Sequence, residues 1–255
     1  MRRGPDSTVS RRAFLFATAA VGFAALSACT PDTPTTQKPL AMTADQAERL
    51  ASFRLKNYLA EKVSYTVSGP EALPISGSVL IDTQVHTGQG LIGRGTEAAA
   101  LVVWDSTSGF ICAEPERWGD LSAWSSRDLG QGDIDTFLLL LLLLSSDRPE
   151  NAQLLQRSGA AWLGTETING VVCDVFTGPF PEGQTSLPDP TTSPVRYKLD
   201  KDGVLQSFSV RGAGAGTDDT PWSATRTDTP PEVYVPDDVW RAMEQAAAEA
   251  ASPSP

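Results

Sequence analysis

The side chains that could do chemistry are few and far apart in this 255-residue chain: one histidine, His86, and three cysteines, Cys29, Cys112 and Cys173. A serine hydrolase needs a nucleophile, a base and an orienting acid. His86 is the single candidate base, and no Gly-x-Ser-x-Gly turn occurs. One histidine also excludes zinc centres built on two or more. Gly88-Gln-Gly90-Leu-Ile-Gly93 spells a dinucleotide-binding pattern, but it leads into the strand-like run 98–104 instead of opening a helix, so it reads as a hairpin turn. Gly212-Ala-Gly-Ala-Gly216 lacks the lysine of a phosphate loop and reads as a flexible loop. Asp133 and Asp135 begin a helix and Asp218 and Asp219 sit in a loop, where carboxylates cap or solvate. No calcium-loop spacing surrounds them. No catalytic residue, metal or cofactor is expected, and the chain is not read as an enzyme.

The cysteines point elsewhere. Leu26-Ser27-Ala28-Cys29 looks like a bacterial lipobox, preceded by the uncharged run 13–28 and, before that, by Ser10-Arg-Arg-Ala-Phe-Leu15, which resembles a twin-arginine export signal. Sixteen helical residues reach about 24 Å, short of a ~30 Å hydrocarbon core, so the run is a signal and not a span. Cleavage would leave Cys29 acylated at the new N-terminus, a membrane anchor that needs no basic surface. The formal charge is −11, and the signal segment carries four arginines against one acidic residue, so its loss makes the remainder more acidic. Nucleic acid is thereby excluded as a partner. Cys112 and Cys173 are left for an oxidising compartment, where a disulfide closing a 61-residue loop is expected; two separate buried thiols are the alternative.

The elements that must position these residues follow from periodicity. Pro/Thr-rich residues 29–42 read as a tether. Thr43 and Gln46 form a capping box for an amphipathic helix over 44–62. Short strand-like runs at 63–68, 76–84, 98–104 and 109–113 predict an antiparallel meander. Phe137 followed by seven leucines, Leu138 to Leu144, predicts a helix over 133–146 that is apolar on every side and cannot face water. A short helix is expected near 149–157. Asn169-Gly170 between 162–167 and 171–176 predicts a type I′ hairpin. A second hairpin spans 195–210 and a last strand lies near 222–229, with a helix over 237–250.

Three stretches resemble the mycobacterial LppX/LprG-type lipoproteins: Ala99 to Asp105, Gly109 to Ala113 with Pro115-Glu-Arg-Trp118, and Gly164 to Val175, with 195–211 matching the following hairpin. The resemblance implies an α+β fold, an antiparallel half-barrel with helices covering its concave face, akin to the LolA/LolB-like lipid carriers. It implies an apolar cavity for the acyl chains of a lipid or lipoglycan. Phe137, Leu138, Leu140, Leu141, Leu142 and Leu144 would line that cavity, and Trp118 and Trp124 would stand near its mouth. The expected organisation is a signal peptide (1–28), a tether (29–42), a lipid-binding domain (43–235) and a C-terminal helix and tail (236–255). The expected role is a lipid carrier anchored on the extracytoplasmic side of the cell membrane. The alternative is a non-catalytic sensor or interaction module of the same fold that regulates an envelope protein partner.

Overall fold

The computed structural model describes residues 39–95, 99–129, 132–178, 195–211 and 220–251. All lie in the second of the two units into which the chain divides, residues 37–255. The signal segment, Cys29, most of the tether, and the Gly-rich and paired-aspartate loop at 212–219 lie outside the described residues.

Helix α1 (Ala44–Leu59) begins at the capping box read from the sequence: the Thr43 hydroxyl accepts from Gln46 N–H at 3.2 Å and Gln46 Oε1 accepts from Thr43 N–H at 2.9 Å. Then come β1 (Lys62–Ser68), β2 (Ile75–Asp82), β3 (Thr87–Arg94), β4 (Ala100–Trp104), β5 (Gly109–Cys112) and β6 (Ser125–Arg127). Helices α2 (Asp133–Leu142) and α3 (Ala152–Arg157) follow, then β7 (Ala161–Ile168), β8 (Val171–Thr177), β9 (Val195–Leu199), β10 (Leu205–Val210), β11 (Trp222–Thr227) and α4 (Asp237–Ala251). The strands form one antiparallel, open sheet in the order β6-β5-β4-β3-β2-β1-β11-β10-β9-β8-β7. It is two meanders zipped together where β1 pairs with β11. The expected Asn169-Gly170 hairpin is present, with both residues at positive φ.

This topology dictates what α2 must be. The chain leaves one edge of the sheet at β6 and re-enters at the opposite edge, β7, so the connection carrying α2 and α3 must cross a sheet face. The Phe137 ring stacks on Phe208 of β10 and Trp222 of β11, at centroid distances of 6.2 and 5.4 Å, while the Trp104 indole of β4 donates to the Leu138 carbonyl at 3.1 Å. In a flat sheet β4 and β10 would stand about 24 Å apart, twice a helix diameter. The sheet therefore curls around α2 as a half-barrel, with its edges unjoined.

Opposite α2, α4 packs Val239 and Met243 against Leu101 and Val103 of β4 and Cys112 of β5. Strand β4 is thus buried on both faces, with Val102 and Trp104 turned to the α2 side. That accounts for its unbroken apolar sequence.

Three expectations are corrected. Residues 88–93 are not a turn but the body of β3, and Gly88 is there for close approach: a Cβ on it would come within 2.2 Å of the Trp104 ring. Cys112 and Cys173 are free and buried, on β5 and β8, with seven strands between them in the sheet, so no disulfide joins them. Burial pushes the Cys173 thiol up, opposite to the shift of an activated nucleophile. Trp118 and Trp124 join the core beneath α4, where the Trp124 indole donates to the Trp118 carbonyl at 3.0 Å, and not the face that holds the leucines.

Replacing Gly88 with Val drives a branched side chain into the Trp104 indole. The expected cost, read as a loss of unfolding free energy in denaturant titration, is about 1–3 kcal/mol.

Candidate functional site

The candidate site is the polyleucine helix and the groups that hold it. Phe137, Leu138, Leu140, Leu141, Leu142 and Leu144 all belong to one core with α1 and the sheet, at exposures of 1 to 9%. A hollow wide enough for an acyl chain would leave its lining open to a water-sized sphere. These six side chains are nearly closed to it, whereas Leu139 and Leu143 are partly exposed, and the Phe137 ring lies against Trp222.

A helix ending inside such a core presents carbonyls that water cannot reach, and each must find a donor. Four in succession do. His86 Nδ1 lies 3.1 Å from the Leu142 carbonyl. Arg54 Nε donates to Leu143 O at 2.9 Å and its Nη2 to Ser145 O at 3.3 Å. Asn57 Nδ2 donates to Leu144 O at 2.9 Å. Arg54 is itself buried and pairs with Glu150 at 3.2 Å, so its charge is neutralised while its fork spans two carbonyls at the negative end of the helix dipole. At the opposite end, buried Asp135 in the first turn takes two bonds from Arg127 of β6, at 2.6 and 3.1 Å, a charge placed where the dipole favours it. Both ends of α2 are thereby fastened, one to α1 and one to the edge of the sheet.

The neighbourhood of His86 and Ser145 shows the same purpose. A carbonyl only accepts, so the hydrogen facing Leu142 O sits on Nδ1. Ser145 Oγ, 3.4 Å from that nitrogen, gives its own proton to Thr83 O at 3.1 Å. The pair therefore serves as a carbonyl cap and is not arranged as a nucleophile and base. His86 reaches this position from the β2–β3 turn at a φ of 54°. Tyr65, which receives Asn57 Nδ2 at 3.4 Å, is wholly buried; burial raises its phenol to about 12, against smaller opposing effects from Arg226 and Asn57. Burial likewise raises Tyr197, which packs on Phe53 of α1 and Phe208 of β10.

Two surface clefts flank this assembly. One, of about 510 Å³, lies over the C-terminal end of α2 among Arg54, Tyr58, Gln84, His86, Leu143 and Arg148. The other, of about 530 Å³, lies beside the β7–β8 hairpin, where Arg49 pairs with Asp174, which also accepts from the Trp162 indole at 2.7 Å. Only the first touches the leucine run, at Leu142 and Leu143. Among the described residues no group of three or more His, Cys, Asp and Glu side chains could hold a metal ion, and no helix is long and apolar enough to cross a membrane.

The chain is similar to the Mycobacterium tuberculosis lipoprotein LppX. The identity is 15%, with 76% of this chain and 98% of that one covered and a TM-score of 0.42. It is also similar to a putative outer membrane lipoprotein-sorting protein domain from Vibrio parahaemolyticus, at 10% identity, 78% and 98% coverage and a TM-score of 0.32. A DUF1329 family protein from Desulfovibrio piger follows at 12% identity, 81% and 99% coverage and a TM-score of 0.30. No family model matches the chain, and no curated protein matches it by sequence. The resemblance read from the sequence thus recurs in the structural comparison.

The sequence reading found the polyleucine helix but not its clamp, although a signal existed. Arg54 and Asn57 stand four and seven residues after Leu50, on the apolar face of α1, where a polar side chain must have a buried partner.

Arg54→Ala strands two buried carbonyls and the Glu150 carboxylate, and is expected to cost about 3–5 kcal/mol in denaturant titration, with Arg54→Lys in between. Stability should also fall at high pH. An unfolded tyrosine ionises near 10, whereas Tyr65 and Tyr197 stay protonated above that value in the fold, so unfolding releases protons and is favoured as pH rises from about 10 to about 12. The slope should approach about 1.4 kcal/mol per pH unit for each phenol, read by denaturant titration across that range.

Proposed function

We propose that this chain is an extracytoplasmic lipoprotein, anchored through acylated Cys29, whose half-barrel binds the acyl chains of an amphiphile in the space that α2 fills in the structure. The observation that carries this reading is the composition of the filler. Of seven successive leucines, Leu138, Leu140, Leu141, Leu142 and Leu144 are buried in the core of the curled sheet and Leu139 and Leu143 pack against it, all with the same aliphatic side chain. A uniform leucine surface specifies its packing weakly, because many rotamer combinations fill the same volume. Exchange of leucine side chains for acyl methylenes keeps the inner face of the sheet against hydrocarbon, while the leucines that leave it, unable to face water, take cover against the bilayer or the rest of the amphiphile. The exchange also requires the fastenings at the ends of α2 to open, and of these the Arg127–Asp135 pair, on a three-residue edge strand with Arg127 partly exposed, is the more readily opened. The cleft beside Leu142 and Leu143 borders the helix end with polar side chains, among them Arg54, Gln84, His86 and Arg148.

A second reading, an interaction module that regulates an envelope protein and carries no ligand, is favoured by the completeness of the packing around Phe137, Leu141 and Leu144. Native mass spectrometry of the full chain purified from its own envelope separates the two. The carrier reading expects lipid at close to one molecule per chain, taken up from envelope lipid extract more readily by Arg127→Ala, which opens one fastening of α2, with the circular dichroism spectrum unchanged. Lipid-free protein, also after incubation with envelope lipid extract, supports the module.

A further inference from the structure

The described surface carries large apolar side chains at several places, and two of them share the corner from which the chain runs toward Cys29. Leu40 pairs with Trp162 of β7 through two backbone bonds of 2.9 Å, Leu40 N–H to Trp162 O and Trp162 N–H to Leu40 O, and is 52% exposed. Leu154 of α3 is 61% exposed, and α3 is held to the same corner because Gln156 Nε2 donates to Met42 O at 3.2 Å, with Met42 and Leu155 buried in the core beneath. The corner is therefore fixed to the domain by α3, β7 and the start of α1. Its two leucines face solvent while Met42, two residues after Leu40, and Leu155, next to Leu154, are buried.

Covalent geometry sets how far this corner can be from an acylated Cys29. Ten residues lie between Cys29 and Leu40, so eleven Cα–Cα steps set a reach of at most about 38 Å when fully extended and much less as a coil. We propose that Leu40 and Leu154 form the contact of the domain with the bilayer in which its anchor sits, a surface that rests on the anchoring reading of Cys29. The occupant is the lipid surface itself. Two leucine side chains dipped among headgroups add modest apolar burial to an attachment already made by the acyl chains, so they orient the domain without being needed to hold it. A second exposed apolar pair, Leu59 and Val85, lies by the far end of α1, about 24 Å away along the helix, where Thr83 bonds the Asn57 and Tyr58 carbonyls; in this arrangement it points away from the anchor.

The test uses the full chain carrying its native anchor, reconstituted in phosphatidylcholine vesicles containing a nitroxide-labelled phospholipid. Leu154→Cys and Val85→Cys, at similarly exposed positions, are labelled in separate preparations with an environment-sensitive fluorophore; Cys112 and Cys173 are buried and stay unlabelled in the folded protein. The label at 154 should be blue-shifted and quenched at least twice as strongly as the label at 85, and Leu40→Asp should reduce that quenching. Equal quenching at both positions, or stronger quenching at 85, overturns the contact. The mass of the Cys29 peptide from the same sample reads acylation separately: an unmodified cysteine refutes the anchor, whereas an acylated one without quenching at 154 refutes only the contact.

Discussion

Four carbonyls at the end of the polyleucine helix impose the condition on which the rest of the structure depends. A helix that ends in a hydrocarbon interior needs donors where water cannot go, and here they come from Arg54 and Asn57 of α1 and from His86 in the β2–β3 turn. Those donors must themselves be positioned. Asn57 is held by Tyr65 and Arg226, Arg54 by Glu150, and Thr83 ties the β2–β3 turn to the last carbonyls of α1. The polar cluster is small and largely buried, with Arg54 and His86 reaching the edge of the surface cleft, and it registers α1, the loop after α2 and the first hairpin against one another.

The topology explains why the cluster exists. Two meanders meeting at β1 and β11 leave the entry and exit of the crossover at opposite sheet edges, and the crossover must lie across the face between them. Leucine makes that crossing favourable by burial; Arg127–Asp135 and Arg54–Glu150 fix where it begins and ends. The opposite face meets a different requirement. There α4 covers β4 and β5, and Trp118 and Trp124 complete a second, smaller core that braces the wing of the sheet on which α2 begins.

Elements whose signals are local were legible in the sequence. The capping box of α1, the Asn169-Gly170 turn and the polyleucine helix each depend on neighbours within a few residues, and each stands where its residues placed it. The features that escaped depend on partners distant in sequence. Gly88 looked like part of a turn because the residue that needs its missing side chain, Trp104, lies on the next strand. Cys112 and Cys173 looked pairable because linear spacing is silent about the strands that separate them in the sheet. The resemblance puts Trp118 and Trp124 near a cavity mouth, and nothing in their own segment reveals that they pack beneath α4. The expected hollow beside the leucines was a statement about volume, and volume is decided by the facing rings of Phe208 and Trp222. Of the clamp, the sequence marks Asp135, as a cap, and His86, as the single candidate base, while Arg54 and Asn57 read as ordinary members of an amphipathic helix.

The central claim is that α2 occupies, in this state, the place an acyl chain takes in another, and hydrogen exchange of the α2 amides addresses it most directly. The account predicts that amides of residues 139–144 exchange through a local opening, faster than those of β1, β2 and β11, and that adding a long-chain amphiphile accelerates them further while leaving the central strands unchanged. Exchange of α2 only through global unfolding, at a rate indifferent to lipid, would contradict it.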